Sequence, residues 1–158
     1  MIRRLTIVLM LWATILGTGS AGHAEPPRPG AEDRCPVCGM FVAKYPDWVA
    51  SMEFAHGDVV YFDGVKDLLI FYFNMAHYQP GRSIDDIRDI HVTDYYTGRQ
   101  VDAREAFFVL GSDVFGPMGK ELIPFESQEA AMEFKGDHHG TRVMRFADIR
   151  PSLLERLR

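Results

Sequence analysis

The sequence predicts an α+β fold made of two related units, each a pair of antiparallel strands followed by one helix. Three observations predict it. A run from Trp48 to Phe54 alternates apolar and polar residues, His56-Gly57-Asp58 supplies turn chemistry, and Val59 to Phe62 resumes a β-rich run, which is the pattern of a hairpin. Val65, Leu68, Leu69 and Tyr72 then recur at helical spacing. The second half repeats this order, with Phe62-Asp63 before the first helix and Phe125-Glu126 before the second in matching places, a likeness of pattern and not of identity.

The elements follow in chain order. Arg3 and Arg4 precede an apolar run from Leu5 to Leu16 and a small-residue stretch from Gly17 to Ala24, the three regions of a secretory signal peptide with cleavage expected after Ala24. The apolar run falls short of the roughly 20 residues that span a bilayer. The end of this segment has no cysteine at which a bacterial lipoprotein would be anchored, so the expectation is a soluble periplasmic protein, with an uncleaved anchor as the alternative. Glu25 to Arg34, rich in proline and charge, reads as a flexible leader. After the hairpin, Asp63 reads as an N-cap and Gly64 to Asn74 as an amphipathic helix whose Lys66, Asp67 and Asn74 face water. Gln79-Pro80-Gly81 closes that region.

In the second half, Ile87 to Thr93, Glu105 to Leu110 and Glu121 to Phe125 read as strands. Ser127 caps a helix to about Lys135, and Arg142 to Phe146 closes as a strand. Pro151 to Leu157 reads as a short terminal helix, with proline tolerated in its first turn. The chain thus divides into a signal peptide (1–24), a leader (25–34), an N-terminal ββα(β) unit carrying a cysteine motif (35–85), a C-terminal ββαβ unit (86–150) and a terminal helix (151–158).

The formal charge is −5, and loss of Arg3 and Arg4 with the signal peptide takes it to −7, which argues against a nucleic-acid partner. No nucleophile stands with a base, no glycine-rich loop resembles a phosphate cradle, and the carboxylates form no recognisable acid/base pair, so catalysis is not expected.

Cys35-Pro36-Val37-Cys38-Gly39-Met40 places the only two cysteines and a methionine within six residues. Four chemistries compete for it. Thiolates with a thioether two residues on select Cu(I) over harder ions. A zinc knuckle needs two further ligands, for which the chain offers only the adjacent His138 and His139. A thioredoxin-like dithiol should follow a hydrophobic strand and open a helix, whereas a polar leader precedes this motif and an extended segment follows it. A structural disulfide would close too small a loop to stabilise much.

Beyond the motif, Met118 lies in Gly116-Pro117-Met118-Gly119, where a turn presents it on a loop, and His138 and His139 follow Gly136-Asp137 at a helix end. Met132 and Met144 fall at core-facing positions. Met52 is ambiguous. His56, His77 and His91 occur singly and suggest no site.

Taken together, C-P-V-C-G-M at 35–40, D-V-F-G-P-M-G-K-E-L-I-P-F at 113–125, A-A-M-E-F at 130–134 and H-H-G at 138–140 resemble the NosL family, accessory lipoproteins of nitrous oxide reductase. The resemblance runs from Cys35 to about Phe146. It implies a monomeric periplasmic Cu(I) metallochaperone delivering copper to the machinery that matures the copper centre of nitrous oxide reductase, a membrane transporter complex among its partners. It also implies two ββαβ-type units, a fold likened to part of the organomercurial lyases. Carried over by motif, the ligands are Cys38 and Met40, then Cys35, with Met118, His139 and His138 as further candidates. The chain departs from the family in lacking a cysteine at the cleavage site and in reading His139-Gly140-Thr141 where the family has His-Gly-Gly. These departures leave room for another copper client. The expected site is shallow and close to solvent, with the metal itself lowering the thiol pKa values so that Cys35 and Cys38 stay thiolates at neutral pH. The alternatives are a periplasmic CxxC thiol oxidoreductase serving a copper client and a structural zinc-knuckle module for protein binding.

Overall fold

The structure is a computed structural model that describes residues 26–157; the signal-peptide segment lies outside the described residues. Its strands form two antiparallel sheets. The first contains β1 (Ala50–Phe54), β2 (Val59–Phe62), β3 (Ile87–Thr93) and β4 (Gln100–Asp102) in the order β2-β1-β3-β4. The second contains β5 (Phe107–Gly116), β6 (Gly119–Phe125) and β7 (Arg142–Arg145) in the order β6-β5-β7. In each sheet a hairpin is followed by a helix and then by a strand that pairs with the first strand of that hairpin, so both are ββαβ units with their first strand central. The expected duplication is therefore present in the topology.

Helix α1 (Val65–Phe73) follows β2, and a short α2 (Met75–Tyr78) follows it. Helix α3 (Gln128–Asp137) follows β6, and α4 (Pro151–Leu154) lies near the end. None of the described helices is long and apolar enough to cross a membrane.

The main core joins both sheets. Met52, Phe54, Phe62, Leu68, Leu69, Phe71, Ile90 and Val92 pack in one cluster with Phe108, Leu110 and Leu122 of the second sheet. On β5 the alternation of a strand sends Phe108 and Leu110 into this cluster and Val109 to the opposite face, where Val109, Ile123, Phe125, Ala131 and Phe134 make a second core beneath α3. The sheets are also stitched at an edge, because Tyr95 N–H donates to the Pro124 carbonyl at 3.0 Å and Glu126 N–H to the Asp94 carboxylate at 2.6 Å. Proline at 124 is accommodated because β6 is an edge strand.

Several expectations change. Strand β1 starts at Ala50 and not at Trp48, because Pro46–Trp48 form a 3₁₀ turn. Ile87–Thr93 pairs with β1, so this strand belongs to the first sheet and the boundary expected at residue 86 moves past β4. The first strand needed a third-strand partner that local pattern does not reveal. The three-residue β4 was too short to register. Lys66 and Asp67 do not face water; both are buried, as is Asp63, and Asp63 makes no cap. Met132 is half exposed, while Met144 and Met52 are buried. Ser127 caps α3 as expected, its hydroxyl accepting from Ala130 N–H.

Candidate metal centre

The cysteine motif forms a closed knuckle. Cys35 N–H donates to the Met40 carbonyl at 2.9 Å and Gly39 N–H to the Cys35 carbonyl at 2.8 Å. Gly39 adopts φ 80°, the left-handed conformation that glycine takes at least cost. Arg34 braces the loop from outside, its guanidinium 3.6 Å from the Phe41 ring centroid and 2.9 Å from the Gly39 carbonyl. The backbone after the motif makes two 3₁₀ turns, Val42–Lys44 and Pro46–Trp48, and then β1, so the strand–motif–helix setting of a thioredoxin-like dithiol is not formed here. Both cysteines are free thiols.

The thiols meet two acids that the sequence reading passed over. Asp63 directly follows β2 and Asp67 sits in the first turn of α1, so the strand-to-helix turn carries both to the cysteine knuckle. The Cys35 thiol donates to Asp67 Oδ2 at 3.2 Å, and the Cys38 thiol donates to Asp63 Oδ1 at 3.2 Å. One donor atom from each of Cys35, Cys38, Asp63 and Asp67 lies within 4.8 Å of every other, enough to share a metal ion. Cys35, Asp63 and Asp67 are buried and Cys38 is half-buried, so the group opens to solvent on the Cys38 side. Asp63 Oδ2 is buried and has no hydrogen-bond partner among the described residues. An oxygen in that state costs free energy unless a cation or donor reaches it, and this fits a metal here.

Without a metal, the surroundings oppose ionisation of both thiols. Burial pushes the Cys35 thiol far above the ordinary range, and the Asp67 charge adds to the effect. Burial pushes Cys38 up to about 12, with carboxylates adding to it. Asp67 is itself raised, first by burial, while the nearby thiol donors act in the opposite sense. Without metal, both sulfurs therefore keep their protons at neutral pH, and a metal must displace them.

The remaining candidates lie in different settings. Met40 follows the knuckle, its carbonyl bonded to Cys35 N–H and its side chain partly buried. Met118 is at the tip of the β5–β6 hairpin, 44% exposed, with its carbonyl accepting from Lys66 Nζ at 2.5 Å. His138 caps the far end of α3, with Nδ1 3.0 Å from Asp113 and its ring stacked on Phe134. His139 is exposed at φ 56°. Neither histidine joins the donor group, so the zinc knuckle does not gain its third and fourth ligands from them. No local pattern marked Asp63 and Asp67 as donors, because Asp63 also suits an N-cap and Asp67 a solvated helix face.

The NosL family model matches residues 26–154. The copper-binding lipoprotein NosL of Stutzerimonas stutzeri is 28% identical over 132 residues, which cover 78% of this chain and 65% of that protein. The crystal structure of the copper chaperone NosL from Shewanella denitrificans superposes with a TM-score of 0.70 at 21% identity, covering 81% of this chain and 97% of that one, which supports the α+β fold. The first of these relatives is named a lipoprotein, and this overturns the expectation of an unanchored periplasmic protein. That expectation rested only on the composition of residues that precede the described region.

Proposed function

The chain belongs to the NosL family, and from that premise we propose that it is a copper carrier which takes Cu(I) on Cys35 and Cys38 and passes it to a copper-receiving protein. The observation that carries the reading is the convergence of the two thiols, each already hydrogen-bonded to a carboxylate at 3.2 Å. Thiolates are the soft ligands that favour Cu(I), and Met40, two residues beyond Cys38, offers a thioether of the same preference.

The carboxylates suit the loading step. As each sulfur binds copper its proton leaves, and the thiol hydrogen bonds to Asp67 and Asp63 mark the direction in which it departs. Two thiolates beside two ionised carboxylates would gather four negative charges around one positive ion in a largely buried site, a costly state. A proton held on a carboxylate lowers that charge. Release reverses the step: ligands of the receiving protein attack from the open Cys38 side and the thiols regain their protons. No catalytic step is assigned, and the carrier acts as a monomer.

The family name supports nitrous oxide reductase maturation as the destination of the copper, with a membrane transporter complex among the partners. The signal-peptide pattern at the N-terminus supports export. Met118, His138 and His139 are weaker ligand candidates than Met40.

The test is an anaerobic Cu(I) titration of the reduced protein against a chromophoric chelator, with Cys35→Ser, Cys38→Ser and Met40→Leu alongside. The expected result is one-to-one binding, lost in either cysteine variant and weakened about tenfold or more in the methionine variant. A wild-type protein unable to compete for Cu(I) would end the carrier reading. The oxygen-rich half of the donor set also suits zinc, so the purified protein's metal content separates a carrier from a structural zinc module, whose fold would collapse on chelation.

A further inference from the structure

We propose that Lys66 and Glu121 are positioning residues for the copper centre: they clamp the β5–β6 hairpin tip and the C-terminal turn onto the start of α1, and so fix the two carboxylates against the two thiols. The inference rests on the copper-carrier reading and adds supports that are not themselves donors.

Helix α1 begins after Gly64, which has no side chain to cap the free N–H groups of the first turn. Glu121 supplies that cap from 55 residues away. Its Oε1 accepts from Lys66 N–H at 2.6 Å and from Leu122 N–H at 2.9 Å. Two glycines make the room, for a Cβ on Gly64 would lie 2.3 Å from Glu121 Oε2, and one on Gly116 would lie 3.2 Å from Glu121 Cγ. The buried carboxylate also stands at the positive end of the helix dipole.

Lys66 acts in the other direction. Its ammonium leaves the helix and donates to the Met118 carbonyl at 2.5 Å and the Leu157 carbonyl at 3.5 Å. Burying an ammonium or an acid group is costly unless hydrogen bonds hold it, and here those bonds run between parts of the chain far apart in sequence.

The position of this clamp gives it its role. Asp63 immediately precedes Gly64, and Asp67 immediately follows Lys66, so a shift of this one turn displaces both carboxylates. The thiol contacts they accept weaken steeply with such displacement. Residues that hold metal ligands in place set affinity by about 10–100-fold when removed.

The test compares wild type with Lys66→Met, Glu121→Ala and Glu121→Gln in the same chelator competition, with circular dichroism and thermal unfolding of each metal-free protein to check the fold. Lys66→Met and Glu121→Ala should bind Cu(I) about tenfold or more weakly and should alkylate faster at the cysteines, since the thiols lose their fixed acceptors. Glu121→Gln keeps an oxygen for both N–H groups and should stay near wild type in both readouts. Folded Lys66→Met and Glu121→Ala proteins with wild-type affinity and alkylation rate would overturn the proposal. If Glu121→Ala does not fold, Lys66→Met decides, because it leaves the Glu121 cap in place. If neither folds, the pair supports the whole fold and the proposal is overturned as well. Loss of Cu(I) binding in wild type would defeat the carrier reading itself, whereas copper binding with indifferent variants defeats only this one.

Discussion

At the level of single residues, the protons on Cys35 and Cys38 govern when copper binds. Both thiols are raised by burial first, so both are protonated at neutral pH and each must lose its proton to become a ligand. Apparent Cu(I) affinity should therefore rise with pH, by about tenfold per pH unit for each proton released to solvent. A slope of two protons between pH 6 and 8 means both reach solvent. A shallower slope means that part of the displaced protons stays within the site, and an affinity that falls as pH rises would contradict protonated thiols in the metal-free site. Competition with a chelator of known proton affinity across that range gives the answer. The thiols themselves were legible in the sequence because cysteine has few other uses in an exported chain, and the knuckle was legible from Gly39. Asp63 and Asp67 were not, since aspartate serves caps, turns and solvent equally well and only the folded chain brings these two within 4.8 Å of sulfur. Lys66 misled for a related reason: a lysine beside an aspartate in a helix reads as a wet face, yet both are buried.

At the level of elements, strands and helices with a strong period were read nearly to the residue, as at Val59–Phe62, Ile87–Thr93 and α1. The pairing was not, because a strand's partner is set by distant contacts, and so β3 was grouped with the wrong sheet. The helix starts show the contrast between local and remote control. α3 is capped locally by Ser127, and Ser127→Ala should cost about 1 kcal/mol of stability in a denaturant titration while leaving copper affinity untouched. α1 is capped remotely by Glu121. Gly64→Ala would push a methyl group to 2.3 Å from that carboxylate, and should cost about 1–3 kcal/mol and weaken copper binding together. Equal losses of stability in the two variants with unequal losses of affinity would separate the two kinds of cap, and an unchanged affinity in Gly64→Ala would count against the link.

For the molecule as a whole, the buried Glu121 predicts how stability follows pH. Burial pushes its carboxyl from the ordinary 4.5 up to about 8, against the pull of the two N–H donors. The folded protein then holds a proton that the unfolded chain releases above about pH 4.5, so stability should fall as pH rises from about 5 to 8 and level off beyond, when both states are ionised. Asp67 is raised as well and adds in the same sense. Thermal unfolding of the metal-free protein should therefore give a higher midpoint at pH 5.5 than at pH 8, with the difference shrinking in Glu121→Gln; a midpoint that climbs with pH would contradict it. The tie from Lys66 to the carbonyl of Leu157 has one more consequence, for the order in which a new chain becomes useful. The cysteines are among the first folded residues to be made, while the helix start that carries their acceptors is fastened by residues 118, 121 and 157. A nascent polypeptide consequently cannot hold its donor set in this geometry until residue 157 has emerged, and metal met before then finds the thiols without their fastened acceptors.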